Sequence, residues 1–185
     1  MIRTPFARWF QTFLRDTRGS VSVEFVIIMP MLFWTFMAVY VYFDGYRQST
    51  VNLKAAYTIS DLLSRETDPI NDEYVDSMHD LLQVLTRATS PTTLRITVVR
   101  WDADEDRYYR DWSVVRGAGI SALTNTDVSF IAELLPIMPN NERVILVETT
   151  NTFIPLYGIG MENISLDNFV FTRPRFAPQV LWESS

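Results

Sequence analysis

The hydrophobic positions of this chain follow three different rhythms. Residues 25–43, FVIIMPMLFWTFMAVYVYF, are apolar or aromatic throughout except for Thr35 and Pro30. At 1.5 Å rise per residue this run reaches roughly 28 Å, close to the ~30 Å hydrocarbon thickness of a bilayer. It predicts one transmembrane helix over 20–44. A cleaved secretory signal has an apolar region of only ~7–15 residues and a small-residue cut site behind it, whereas DGYRQ follows here. The second rhythm begins beyond the run. In YRQSTVNLKAAYTISDLLSRE, Val51, Ala55, Ile59 and Leu62 or Leu63 recur at helical spacing, with Arg47, Lys54, Asp61 and Arg65 on the other sides. This predicts an amphipathic extension over 45–66, packed by its stripe on a small domain.

After the turn TDPIN, a second helix is predicted over 72–88, with Tyr74, Met78, Leu81, Leu82 and Leu85 on one face. The third rhythm is alternation. Leu94, Ile96 and Val98 alternate with Arg95 and Thr97, and RYYRDWSVV returns after the acidic turn DADED with Tyr108, Trp112 and Val114 in phase. That is a hairpin. A short helix over 127–135 leads to a more continuous apolar strand, ERVILVETTNTF, and LDNFVFTRPRF supplies the last strand. Residues 67–185 therefore read as an α+β domain, an antiparallel sheet of about four strands with helices packed on one face. Trp101 and Trp112 read as sheet-core aromatics in preference to a contact surface.

Charge narrows the partners. The formal charge is −6 with pI about 4.8, so no basic stripe is available for a phosphate backbone and nucleic-acid binding is excluded. There are no cysteines, which removes disulfides, thiolate zinc sites and cysteine nucleophiles. The leader, residues 1–19, carries Arg3, Arg8, Arg15 and Arg18 against a single acid, Asp16, whereas Asp44, Arg47 and Lys54 are sparse beyond the run. The positive-inside rule then places the N-terminus in the cytoplasm and the domain across the membrane, in the periplasm of a bacterium.

Catalytic chemistry has little to work with. His79 is the only histidine, sits on the second predicted helix, and has no second His or Cys to complete a metal site or a catalytic pair. No Gly-x-Ser-x-Gly elbow is present, and the glycine pairs at 117–119 and 158–160 read as turns. Asp102, Asp104 and Asp106 alternate as in a calcium loop, yet the sixth position is Arg107 where glycine is needed and the twelfth is Ser113 where glutamate is needed. They remain the nearest approach to a calcium site in a turn otherwise read as solvated. The expectation is a non-enzymatic chain without a cofactor.

The remaining oddity is Glu24, a carboxylate at the lip of the apolar run. A capping box would need Ser or Thr three residues earlier, where Val21 stands. The order from Arg18 onward is Gly19, Ser20, three residues, Glu24, Phe25, then a spanning helix containing Pro30. It resembles the prepilin signal of type IV pilin-like proteins, and in detail the TadE/TadG-like pseudopilins of the tight-adherence (Flp-type) pilus. The resemblance implies cleavage by a prepilin peptidase between Gly19 and Ser20, with Glu24 as fifth residue of the mature chain and Phe25 and Pro30 in the helix behind it. The ending FTRPRFAPQV is similar to the Arg-Pro-Arg ending of those proteins.

A cut there would remove the charged leader and leave the helix attached to its domain. The new ammonium on Ser20 would lie about one turn from Glu24, so a neighbouring chain's carboxylate could meet it in a helix bundle. A one-residue slip would separate the charges in apolar surroundings, which costs several kcal/mol. The implied function is that of a minor pseudopilin in pilus assembly at the bacterial inner membrane, nearer the TadE-like or TadF-like end in size. Its partners would be other pseudopilins and pilins, the prepilin peptidase and the inner-membrane assembly platform. The alternative is an unprocessed, signal-anchored protein whose periplasmic domain binds a ligand or partner, with Gly19 a loop glycine and Glu24 an interfacial acid.

Overall fold

The structure is a computed structural model that describes residues 20–183. One helix, α1, runs without interruption over Ser20–Arg65 and so contains both the apolar run and its amphipathic extension. A second helix, α2 (Asp72–Thr86), returns beside it. The Asn71 side chain caps its start by accepting from the Tyr74 amide at 2.9 Å. Its end falls two residues short of the sequence expectation, because Arg87 turns left-handed (φ 48°) and folds its amide back on the last carbonyls.

Four strands follow: β1 (Thr93–Asp102), β2 (Arg107–Arg116), β3 (Arg143–Phe153) and β4 (Ile164–Thr172). They form one antiparallel sheet in the order β2-β1-β3-β4. Both long helices cover one face. There Ala55, Ile59 and Leu63 of α1 and Val75 and Leu82 of α2 bury against Leu94, Ile96, Val98, Ile145 and Val147. Of the face expected for α2, Leu82 is buried and Tyr74 and Met78 pack on the same core; Val75 joins them, while Leu85 is exposed.

The opposite face is covered too, unlike the expectation of helices on one side only. The short helix α3 (Asn125–Phe130) and the 3₁₀ turn Ala132–Leu134 lay Val128 and Leu135, with Leu123 and Met138, over Val99, Tyr108, Val144 and Leu146. A capping box between Thr124 and Asp127 starts α3, and hydrogen bonds from the Thr124 amide and hydroxyl hold the Asp127 carboxyl below its usual range.

One irregularity in the hairpin explains how β2 serves both layers. Val98 pairs with Trp112 but Val99 pairs with Arg110, so Asp111 is an extra residue, a β-bulge. The bulge shifts the phase of alternation. Trp112 and Val114 pack in the helix-covered layer and Tyr108 in the other, so the three residues expected in phase divide between the two cores. Asp111 binds Arg143 at 2.6 Å from its bulged position and lies 3.7 Å from Arg100.

The C-terminal segment straps the domain to the helices. Arg173 pairs with Glu142 at 3.0 Å and Arg175 with Asp61 of α1 at 3.2 Å, while the Arg175 amide donates to the Ser64 carbonyl. Val180 is buried, its carbonyl accepts from the Trp112 indole at 2.8 Å, and Trp182 stacks against Trp112 at 5.4 Å. Trp182 also forms a parallel bridge with Ile70 ahead of α2. The Arg-Pro-Arg ending is, physically, a clamp on the far end of α1.

Candidate functional site: the apolar half of the long helix

Along its first half α1 buries almost nothing. Of its most apolar stretch 6% is buried inside the molecule, and the helix is long and apolar enough to cross a membrane. Phe25, Phe33, Trp34 and Phe36 are each at least 60% exposed. Exposing a large apolar side chain to water forfeits roughly 1.5–3 kcal/mol, so the whole run forfeits on the order of 20 kcal/mol unless lipid or other helices surround it.

The helix carries Pro30 within it. Proline lacks the N–H that would reach back one turn, a loss tolerated in apolar helices where neighbouring groups re-satisfy the freed carbonyl. Further along, the Thr35 hydroxyl donates to the Met31 carbonyl at 2.9 Å and so keeps its own polar atom inside the helix. Glu24 and Phe25 lie on exposed helix near its start, as the sequence placed them. Ser20 is the first described residue of α1, and Gly19 lies outside the described residues, as does the basic leader.

The change from bare to packed helix is abrupt. Val41 is 1% exposed although it lies inside the apolar run, and Gly45 passes close to the Phe153 ring at the end of β3. Two turns on, a buried polar cluster locks α1 to the sheet. Asn151 donates its amide to Asn52 at 3.2 Å, Asn52 donates to the Gln48 carbonyl at 2.8 Å, and the Asn151 oxygen accepts from Ser90 and from the Thr152 amide. Gln48 reaches across to the Thr86 carbonyl at the end of α2. Both asparagines are nearly inaccessible, so each bond is made in a low dielectric where an unmatched partner would cost about 1–3 kcal/mol. Sequence reasoning missed this cluster. Its signal was the asparagine next to Val51, where the apolar stripe of α1 begins.

The other predicted candidates are distributed elsewhere. Asp102 accepts from the amides of Asp104 and Glu105 and so caps the β1–β2 turn, where Asp106 adopts a left-handed φ of 51°. Among the described residues no group of three or more His, Asp or Glu side chains is arranged to hold a metal ion. His79 is half-buried, with one ring nitrogen 3.0 Å from the Thr92 carbonyl. Near the start of α2, the Tyr74 hydroxyl donates to Glu66 at 2.8 Å; burial, and then this carboxylate, push the phenol well above its usual range. Trp101 stacks on Tyr108 at 4.5 Å within the second core.

Fold and exposure together define a class: an α+β domain carried on a single helix whose free half suits an apolar environment. The sequence matches no family model, and comparison with curated proteins and with solved structures finds no match.

Proposed function

We propose that the protein is a minor pseudopilin that takes part in assembling a tight-adherence, Flp-type pilus, and that it is non-catalytic. Its leader is removed by a prepilin peptidase between Gly19 and Ser20, and it sits in the bacterial inner membrane with its domain in the periplasm. The observation that carries the reading is the two-part helix: α1 is largely exposed and, but for Thr35, apolar from Phe25 to Tyr40, then built into the domain by Asn52, Ala55, Ile59 and Leu63. Such a helix can enter a bundle of like helices while its domain is presented outside the bundle. The register of glycine, acid and apolar run in the sequence supports the same reading. Partners are other pseudopilins and pilins, the peptidase and the inner-membrane platform.

The test uses Glu24→Ala. Glu24 lies far along α1 from the residues that pack in the domain, so the domain should fold as before, while axial register among neighbouring helices is lost. A penalty of several kcal/mol for mismatched charges in apolar surroundings corresponds to at least about a tenfold loss of assembled protein. The readout is recovery in pilus and assembly-complex fractions, with cleavage followed on the same samples. Unchanged cleavage together with unchanged recovery would overturn the reading.

A further inference from the structure

The loop between β3 and β4 is out of character for a water-facing connection. Residues 154–161, IPLYGIGM, carry no charge at all, and the first charged side chain after Phe153 is Glu162. Ile154 is 53% exposed and Leu156 69%, with Tyr157 also exposed. The loop is nonetheless ordered by short contacts: the Ile159 amide bonds the Tyr157 carbonyl at 2.9 Å, and Gly160 supplies a left-handed turn at φ 90°.

Its height along α1 is fixed by a ring contact. The Tyr157 ring lies 6.5 Å from that of Tyr40, edge to face. Tyr40 is inside the apolar run, about 6 Å along the helix axis before Asp44, the first charge beyond it. The loop therefore reaches below the level at which the helix leaves the hydrocarbon. Tyr42 and Tyr46 stand at the same end of the helix, and an apolar cleft of about 260 Å³ between them, Phe153 and Met161 opens beside the loop. Tyrosines with aliphatic neighbours are the usual composition of the layer where acyl chains meet headgroups.

We propose that the β3–β4 loop is a second membrane contact: Ile154, Leu156 and Tyr157 rest in the interfacial layer of the bilayer that α1 crosses and hold the domain against the lipid surface. This rests on the spanning reading of α1. The occupant is the phospholipid interface, because residues 154–161 are continuous with the apolar surface of α1 at the depth of Tyr40 and offer no charge to a polar partner. Two tethers side by side restrict the tilt of the domain about the helix, which one helix alone would leave free.

The chain lacks cysteine, so single probes can be introduced cleanly. Leu156→Cys, Phe36→Cys and Ala103→Cys of the full-length protein would each carry an environment-sensitive fluorophore in phosphatidylcholine–phosphatidylglycerol vesicles. The vesicles would contain nitroxide lipids labelled near the headgroup or deep in the chain. Ala103 sits in the β1–β2 turn, held by Asn140 at the opposite end of the sheet from Phe153. The expected result is blue-shifted emission at Leu156, quenched more by the shallow than by the deep nitroxide. Phe36 should be quenched more by the deep one, and Ala103 by neither.

A Phe36 probe that is quenched beside a Leu156 probe behaving like Ala103 would overturn the loop contact and leave the spanning helix standing. A Phe36 probe untouched by either nitroxide would overturn the spanning reading and the loop contact with it. Ile154→Cys repeats the measurement if Leu156→Cys does not fold.

Discussion

Ile59→Ala is expected to destabilise the domain by about 3 kcal/mol, as large-to-small substitutions at fully buried positions do. Ile59 has no accessible surface and sits in the layer where α1 meets Leu94, Ile96, Ile145 and Val147. Truncation removes the transfer energy of three carbons and leaves a cavity. The backbone of a helix tied at Asn52 on one side and at Ser64 and Asp61 on the other has little freedom to fill it. Denaturant titration of the full-length protein in detergent micelles, followed by tryptophan fluorescence, would read the change. Leu53→Ala, at an exposed position on the same helix, should shift stability by no more than about 0.5 kcal/mol. Equal effects at the two positions would contradict the packing of α1 on the sheet.

Gly117→Ala should be of similar size for a different reason. Gly117 has φ +91°, and an added Cβ would stand 2.3 Å from the Thr92 carbonyl oxygen and 2.9 Å from the Thr93 Cα. Both neighbours are backbone, and the Thr92 carbonyl already faces the His79 ring. Left-handed strain of about 1–2 kcal/mol adds to an overpacking term of roughly 1–3 kcal/mol, for an expected loss of about 3 kcal/mol. Gly119 is the internal control: its φ is also positive, at +100°, but nothing lies within 4 Å of its would-be Cβ. Gly119→Ala should therefore show the strain alone, and the same titration separates the two. An equal loss at both glycines would mean that the close approach at Gly117 does not exist.

What could be read from the residues followed how far each signal was local. The apolar run and the stripe through Ala55, Ile59 and Leu63 were legible because a helix repeats every 3.6 residues whatever packs on it. Strand existence was legible from alternation in the hairpin and from a continuous apolar run in β3, and all four strands lie within a few residues of the stretches so marked. The division of β2 between two cores was not, because a single bulged residue at Asp111 reverses the parity of everything beyond it without disturbing the pattern itself. On α2 the inward positions Tyr74, Met78 and Leu82 were legible from their spacing, but the burial of Val75 and the exposure of Leu85 were not, because Leu81, Leu82, Val84 and Leu85 crowd two sides of the helix and only contact with the sheet chooses among them. The strap of Val180 and Trp182 has no period at all, so nothing local announces it. The Asn52–Asn151 lock joins residues nearly a hundred positions apart, which no window along the chain can pair. For the candidate site, the exposed helix carrying Glu24, Phe25 and Pro30 was legible from composition, since lipid-grade residues on every face leave no inward side.

The most direct measurement for the proposed function is the intact mass and N-terminal sequence of the protein from native membranes, with and without the host's prepilin peptidase. The account predicts a mature chain that begins at Ser20 and reverts to full length when the peptidase is absent. A chain beginning at Met1 in both strains would contradict it, and would leave a signal-anchored domain in place of a processed pseudopilin.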